Sequence, residues 1–208
     1  MGGGNIPGPE SGHEVSPDSG VTSGFGADLP GPIATGQGTQ QQLNLTGWPR
    51  DIEWSEFREV TERPAGESEA AQINPVNEAT QARTARVDGQ WMLATLNLQI
   101  NVNRDESWVV VAQKSAALKA HEQGHFDIHC IIAGRDLIET LRGLRARTNE
   151  RLGRAVTRAM QRSQQQAQQL TNEYDRDTAH GAKNDRQAIW EAQIRRAISN
   201  NSGLRAPN

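Results

Sequence analysis

The chain has little cysteine and no long apolar segment. Its single cysteine, Cys130, excludes an intrachain disulfide framework. The lack of disulfides does not identify the cellular compartment, because exported bacterial proteins need no disulfides. No apolar run approaches the roughly 20 residues that a membrane helix needs, so we expect no membrane partner. The amino-terminal segment has neither a basic start nor an apolar stretch, so no signal peptide is predicted.

The chain also has no excess of basic charge. The formal net charge is −3 and the isoelectric point is about 6.0, which argues against nucleic acid as a partner. Hydrophobic residues make up 35% of the chain and the mean hydropathy is −0.72. Both values are low for a wholly globular chain. The 208 residues therefore suit one domain with appended segments, part of which is unpacked.

The composition divides the chain into three regions. Residues 1–43 are dominated by Gly, Pro, Ser, Thr and Gln and show no helical or strand periodicity, so they are predicted to form a disordered leader. The folded domain is predicted over residues 44–199. Residues 200–208 are predicted to be a frayed tail.

Periodicity within the folded domain predicts an α+β fold. Apolar residues alternate along 91–102, which is typical of a half-buried strand, and Asp88-Gly89 before it is a hairpin signal. Helices are predicted where apolar residues recur every three or four positions. The predicted elements are strands 79–87, 91–102 and 108–111, a loop over 62–78, and helices 115–143, 146–173 and 184–199. This order predicts a small antiparallel sheet packed on one long helix and two further helices.

The first of these helices contains the sequence His-Glu-x-x-His. His121 and His125 are one helical turn apart, so both imidazoles can reach one ion about 2.0–2.1 Å from each nitrogen. Glu122 lies about 100° round the helix, where its carboxylate can take a proton from a water in the open metal position. Three of the five histidines fall within nine residues here. The pattern predicts a catalytic zinc site in a zincin-like domain.

A catalytic zinc site needs a third protein ligand. His129 lies two turns beyond His121, and three ligands in a row on a straight helix cannot surround one ion. His180, in a predicted loop and followed by glycine, is the preferred candidate. The alternative is a carboxylate from the preceding segment, namely Glu173, Asp175 or Asp177.

Tyr174 is the chain's only tyrosine and lies close in sequence to His180. A phenol can donate a hydrogen bond to the oxyanion of a tetrahedral intermediate, which makes Tyr174 a candidate catalytic residue beside Glu122. The alternative is a half-buried tyrosine without a catalytic role. The sequence leaves both open.

Several segments carry a resemblance to a known family. They are Trp48-Pro49, Glu53-Trp54 with Phe57, Ser107-Trp108-Val109, residues 121–128, Tyr174-Asp175, Thr178 and His180-Gly181. Across about residues 45–195 the chain resembles a bacterial family of unknown-function domains labelled as predicted secreted zinc-dependent proteases. The resemblance implies a metallopeptidase-like domain with His121, His125 and His180 on zinc and Glu122 as catalyst. The chain departs from the family in two respects, the presence of His129 and the lack of a signal peptide.

We therefore expect a zinc-dependent peptidase that acts on a peptide or protein. Zinc would activate a water and polarise the scissile carbonyl, and Glu122 would pass the water's proton to the leaving amine. The strand at 91–102 is expected to pair with an extended substrate. The alternatives are a non-catalytic metal-bound interaction module, and a delivered effector or toxin that uses a secretion apparatus. The expected location is outside the cell by a route without a visible signal peptide, and otherwise the cytoplasm.

Overall fold

The computed structural model describes residues 40–207, which form an α+β fold of two three-stranded sheets and three helical rods. The α+β class predicted from the sequence is thereby confirmed. Most of the predicted leader, residues 1–43, lies outside the described residues. Only its last few residues are described, and the first strand begins among them, at Gln42.

The first sheet contains the predicted hairpin. Strand β5, Gln90–Val102, lies between β4, Pro75–Val87, and the short strand β1, Gln42–Thr46. Asp88 and Gly89 both have positive φ, 49° and 77°, as the tight turn between β4 and β5 requires. Alternate β5 residues are buried, so one face of the strand forms core, as its alternating pattern predicts.

Two expectations about this sheet are wrong. Strand β1 is parallel to β5 whereas β4 is antiparallel, so the sheet is mixed. Strand β5 is paired on both sides over residues 95–99, so it does not offer its backbone to a substrate strand. The local pattern identifies β5 as half-buried, but the position of a strand within a sheet depends on pairings distant in sequence.

The second sheet is small and lies next to the first helix. Strand β6, Trp108–Val110, is flanked by β2, Arg58–Val60, in parallel and by β3, Ala71–Gln72, in antiparallel orientation. Strand β3 and the start of β4 fall within residues 62–78, which the sequence predicts as loop. Proline at the first position of β4 hides that strand from a sequence pattern, although an edge strand tolerates proline there.

The first helical rod extends to Gly143, as predicted, but has three segments. Helix α1, Ala116–His129, is capped by Ser115, whose hydroxyl accepts a hydrogen bond from the Leu118 N–H at 3.1 Å. A π-helical segment, Cys130–Asp136, then leads into α2, Leu137–Gly143. The cap matches its prediction, and the π-helical segment was not predicted.

Two further helices complete the fold. Helix α3, Asn149–Thr178, continues past the predicted end at 173 before Ala179 turns left-handed with φ 49°. The predicted helix end at 173 is therefore wrong, and Tyr174 and Asp175 are helical residues. Helix α4, Asn184–Ser199, has the predicted bounds. None of the helices described in residues 40–207 is long and apolar enough to cross a membrane.

Three hydrophobic clusters form the core of residues 40–207, and the first helical rod contributes to each of them. Leu137 and Leu141 pack with the first sheet and α3, and Phe126 and Cys130 pack with the second sheet. Ile131 packs with α4 in the third cluster. The rod is therefore the central element, and both histidines of the motif lie on its first segment.

The segment after β1 is attached to α1 by hydrogen bonds. Gln123 accepts one from the Ile52 N–H at 2.8 Å and donates one to the Arg50 carbonyl at 3.1 Å. The Trp48 indole N–H donates to the Asp127 carboxylate at 2.8 Å. Since Gln123 and Asp127 are one turn apart, a single face of α1 holds this segment, and His121 and His125 project from another.

Candidate metal centre

Helix α1 brings the two histidines of the motif together. The Nε2 atoms of His121 and His125 are 3.2 Å apart, and their rings meet edge to face with centroids at 4.8 Å. His121 is 2% exposed. The i, i+4 spacing thus gives the convergence that the sequence predicts.

Asp175 on α3 completes the group. Its Oδ1 lies 3.1 Å from His121 Nε2 and 2.8 Å from His125 Nε2. Burial opposes ionisation of this carboxyl, but hydrogen bonds from His121 and His125 outweigh it and hold the pKa of Asp175 well below its usual range. Asp175 is therefore a carboxylate, and it reaches the histidines because α3 does not end at 173.

These three atoms have the spacing of metal ligands. Four ligand atoms about 2.0–2.1 Å from a tetrahedral zinc ion lie about 3.3 Å from one another. The observed separations of 2.8, 3.1 and 3.2 Å are close to that value. His121, His125 and Asp175 therefore fit a zinc ion with one ligand position left over, and this arrangement suits a catalytic site.

The second nitrogen of His121 is held by Gln187 of α4. Nδ1 lies 3.2 Å from Gln187 Oε1, and an amide oxygen only accepts hydrogen bonds, so Nδ1 carries the proton. With the Nδ1 proton held in this way, a metal ion can replace the proton on Nε2 and meet a lone pair that is directed towards Asp175 and His125. Gln187 was missed in the sequence, where a helical glutamine carries no signal of this role.

Glu122 is buried beside the two histidines. It is 2% exposed, and its Oε2 atom has no hydrogen-bond partner among residues 40–207. Burial raises the pKa of Glu122, and the nearby charges of His125 and His121 only partly oppose this. A carboxyl with a raised pKa and a free oxygen is suited to accept and return a proton.

His180 is grouped with two carboxylates and not with the pair of histidines. Its Nδ1 is 2.8 Å from Glu69 Oε1 and 3.7 Å from Asp175 Oδ1. His121, His125 and Asp175 form one group of ligand atoms within 4.8 Å of one another, and Glu69, Asp175 and His180 form a second. The geometry therefore favours Asp175 as the third ligand, and ligation by His180 stays a prediction.

Glu69 was not among the residues singled out from the sequence. It precedes β3 in the segment predicted as loop, where an acidic residue has no periodic signal. Burial and the negative charge of Asp175 raise the pKa of Glu69, and His180 opposes this shift. The pairing of β3 with β6 places Glu69 at the site.

Tyr174 is packed against the site from within the core. Its ring stacks on that of His121 with centroids 4.7 Å apart and an interplanar angle of 21°. The hydroxyl is buried, lies 3.3 Å from the His121 carbonyl, and accepts a hydrogen bond from Gln187 Nε2 at 2.7 Å. These contacts favour a positioning role, and the oxyanion role stays a prediction.

The remaining candidates lie outside both groups of ligand atoms. His129 Nε2 contacts Asn77 Oδ1 at 2.9 Å, and burial lowers the pKa of His129 to about 4. Asp177 accepts hydrogen bonds from Arg186 and from the Trp190 indole N–H. Glu173 belongs to neither group. His129 is therefore a packed residue and belongs to neither group of ligand atoms, and Asp177 joins α3 to α4.

One comparison with known proteins gives a match. Residues 71–181, slightly more than half of the chain, match the family described as bacterial protein of unknown function (DUF922). The matched region runs from β3 through α1 to Gly181 and so contains every ligand candidate except Glu69. No curated protein and no solved structure matches the chain. The chain belongs to the DUF922 family of bacterial proteins of unknown function.

Proposed function

We propose that the protein is a zinc-dependent peptidase with its active site on α1. The observation that carries the proposal is the convergence of His121 Nε2, His125 Nε2 and Asp175 Oδ1 beside the unpartnered carboxyl of Glu122. A purely structural site needs ligands but no proton acceptor. The free oxygen of Glu122 therefore favours a hydrolytic function.

Each residue of the site has a separate task in this proposal. A bound zinc ion would supply Lewis acidity, which lowers the pKa of water and polarises a carbonyl group. Glu122 accepts the proton of the attacking water and returns it to the leaving amine. Gln187 keeps the proton of His121 on Nδ1. Tyr174 holds the His121 ring by stacking on it.

A peptide is the proposed substrate because the His-Glu-x-x-His arrangement pairs zinc with a glutamate base, as in metalloproteases. The resemblance noted from the sequence points in the same direction. Strand β5 cannot bind an extended peptide, because β1 and β4 already pair with it. Strand β3 is an edge strand that contacts α1 and follows Glu69. It is the better candidate for pairing with a substrate backbone.

The test is the variant Glu122→Gln in zinc-loaded protein. Turnover of a diverse peptide mixture should fall at least about 100-fold, because general acid–base catalysis contributes that much or more. Zinc content should not change, since Glu122 is not a ligand. Glu67→Gln, in an exposed loop, serves as the control and should retain full turnover. Peptide products would be measured by mass spectrometry and zinc by elemental analysis.

Two outcomes would oppose the proposal in different ways. Unchanged turnover in Glu122→Gln would remove the glutamate mechanism. If zinc-loaded wild-type protein is inert towards all peptides, the non-catalytic metal-bound module becomes the better account. Retention of zinc by Asp175→Ala together with loss of all zinc from His180→Asn would restore His180 as the third ligand.

A further inference from the structure

We propose a second divalent-cation site, formed by Glu69, Asp175 and His180, that shares Asp175 with the first. The two sites would form a carboxylate-bridged two-metal centre. The inference adds to the proposed function, but its test measures metal binding and does not depend on peptide hydrolysis.

The geometry of the second group is that of a nitrogen–oxygen metal site. His180 Nδ1 faces two carboxylates, Glu69 Oε1 at 2.8 Å and Asp175 Oδ1 at 3.7 Å. The three ligand atoms lie within 4.8 Å of one another. One imidazole and two carboxylates are ligands that divalent transition-metal ions accept readily.

The chain reversal after α3 holds His180 in place. Ala179, His180 and Gly181 have φ values of 49°, 53° and 78°, so three successive residues adopt the left-handed conformation. A Cβ atom at Gly181 would lie 3.1 Å from His121 Cγ. The turn therefore packs directly on His121, and it places His180 Nδ1 3.7 Å from Asp175 Oδ1.

A buried carboxyl beside the two groups is a separate observation. Glu122 is nine-tenths buried or more, and its Oε2 lacks a partner among the described residues. Glu122 follows His121 directly on α1, and His121 Nε2 lies 3.1 Å from Asp175 Oδ1. A buried carboxyl oxygen without a hydrogen-bond partner calls for a ligand at the site, such as a metal ion or a water bound to one.

Asp175 is suited to bridge the two ions. A carboxylate has about four lone-pair positions on two oxygens, so it can serve two metals at once. Several hydrolases, including aminopeptidases, use pairs of metal ions about 3.5–4 Å apart. Such a pair would give His180 and Glu69 a role that a single zinc ion on His121, His125 and Asp175 leaves unexplained.

Metal-free full-length protein should be titrated with Zn²⁺ and, separately, with Co²⁺. The wild type should bind two ions per chain, measured by equilibrium dialysis with elemental analysis and by visible absorption of Co²⁺. Glu69→Ala and His180→Asn should each bind one ion, because the first site stays intact. Asparagine tolerates left-handed φ, so His180→Asn preserves the turn.

Glu67→Ala is the matched control. It removes the same charge from the same loop, but Glu67 is exposed and belongs to neither group, so this variant should still bind two ions. Circular dichroism should show that every variant is folded. One ion in the wild type would overturn the proposal. Two ions in Glu69→Ala, or none in His180→Asn, would also overturn it.

Discussion

At the scale of the residue, Gly124 is as constrained as the ligands on either side of it. A Cβ atom at this position would lie 2.3 Å from the Tyr174 hydroxyl and 2.6 Å from its Cζ. The Tyr174 ring is fully buried between His121 and Trp190, so it cannot move aside cheaply. The glycine within the motif therefore makes room for the tyrosine that supports His121.

We predict that Gly124→Ala destabilises the protein by about 1–3 kcal/mol, the usual cost of overpacking a core. Zinc affinity should fall as well, because a displaced Tyr174 no longer stacks on His121. Gly143→Ala is the control in the same rod, since nothing lies within 4 Å of its added Cβ. Chemical denaturation and zinc titration of both variants provide the measurement. Equal stability of the two variants would contradict the prediction.

Residues of the site differ in how well the sequence predicts them. His121, Glu122 and His125 follow from local helical spacing alone. Gln187 is 66 positions from His121, and its contact depends on how α4 packs against α1. The sequence leaves Asp175 as one of several alternatives and carries no signal for Glu69. Long-range packing leaves no periodic trace in a sequence, so these partners needed the structure.

At the scale of the element, the π-helical segment is stabilised by side chains from outside the rod. The carbonyl of Ile132 accepts a hydrogen bond from Ser163 at 2.7 Å, and that of Ala133 accepts one from Asn77 at 2.6 Å. A π-helical turn disturbs the normal ladder of helical hydrogen bonds. The side-chain donors from α3 and β4 satisfy these two carbonyls, and they also attach α3 and β4 to the rod.

Helix ends were predicted unevenly, for a physical reason. Ser115 and the bounds of α4 could be predicted because capping is local. The end of α3 was placed too early because residues 175–177 alternate in charge and resemble a loop. In the structure these charges are satisfied by tertiary partners, such as Arg186 for Asp177. The error concerned Asp175, whose place on the helix determines the site.

His129 joins the rod to β4 through Asn77, and this contact should make stability depend on pH. The pKa of His129 is lowered to about 4 by burial, below its ordinary value of about 6.5. Between these values the unfolded chain binds more protons than the folded protein, so stability falls as pH decreases from about 6.5 towards 4. The loss should be on the order of 3 kcal/mol.

We predict that His129→Gln removes this dependence. Glutamine can still donate a hydrogen bond to Asn77 but does not titrate. Urea unfolding of metal-free protein at several pH values between 4 and 7 should show the wild type losing stability relative to the variant. All other titrating groups are common to both proteins, so the difference isolates His129. Parallel pH profiles would contradict the prediction.

At the scale of the whole molecule, the first helical rod joins all three hydrophobic clusters. Loss of packing in one cluster should therefore weaken the others, and unfolding should occur in one transition. The third cluster includes Leu204, which is 7% exposed although it lies in the segment predicted to fray. Arg135 of the π-helical segment also donates a hydrogen bond to the Ser202 carbonyl. The third cluster thus connects the carboxy-terminal segment that contains Leu204 to the site, because Tyr174 and Trp190 belong to the same cluster.

A chain that ends at residue 203 should accordingly be less stable than one that ends at residue 205. Both lack the last residues and both keep Ser202, but only the longer chain keeps Leu204. Burial of a leucine side chain contributes about 1.5–3 kcal/mol, so the free energy of unfolding should fall by about that amount. The urea midpoint should fall with it. The shorter chain should still unfold in one transition, because the rod continues to link the clusters. An unchanged midpoint would mean that Leu204 contributes nothing and that the tail frays as the sequence suggests.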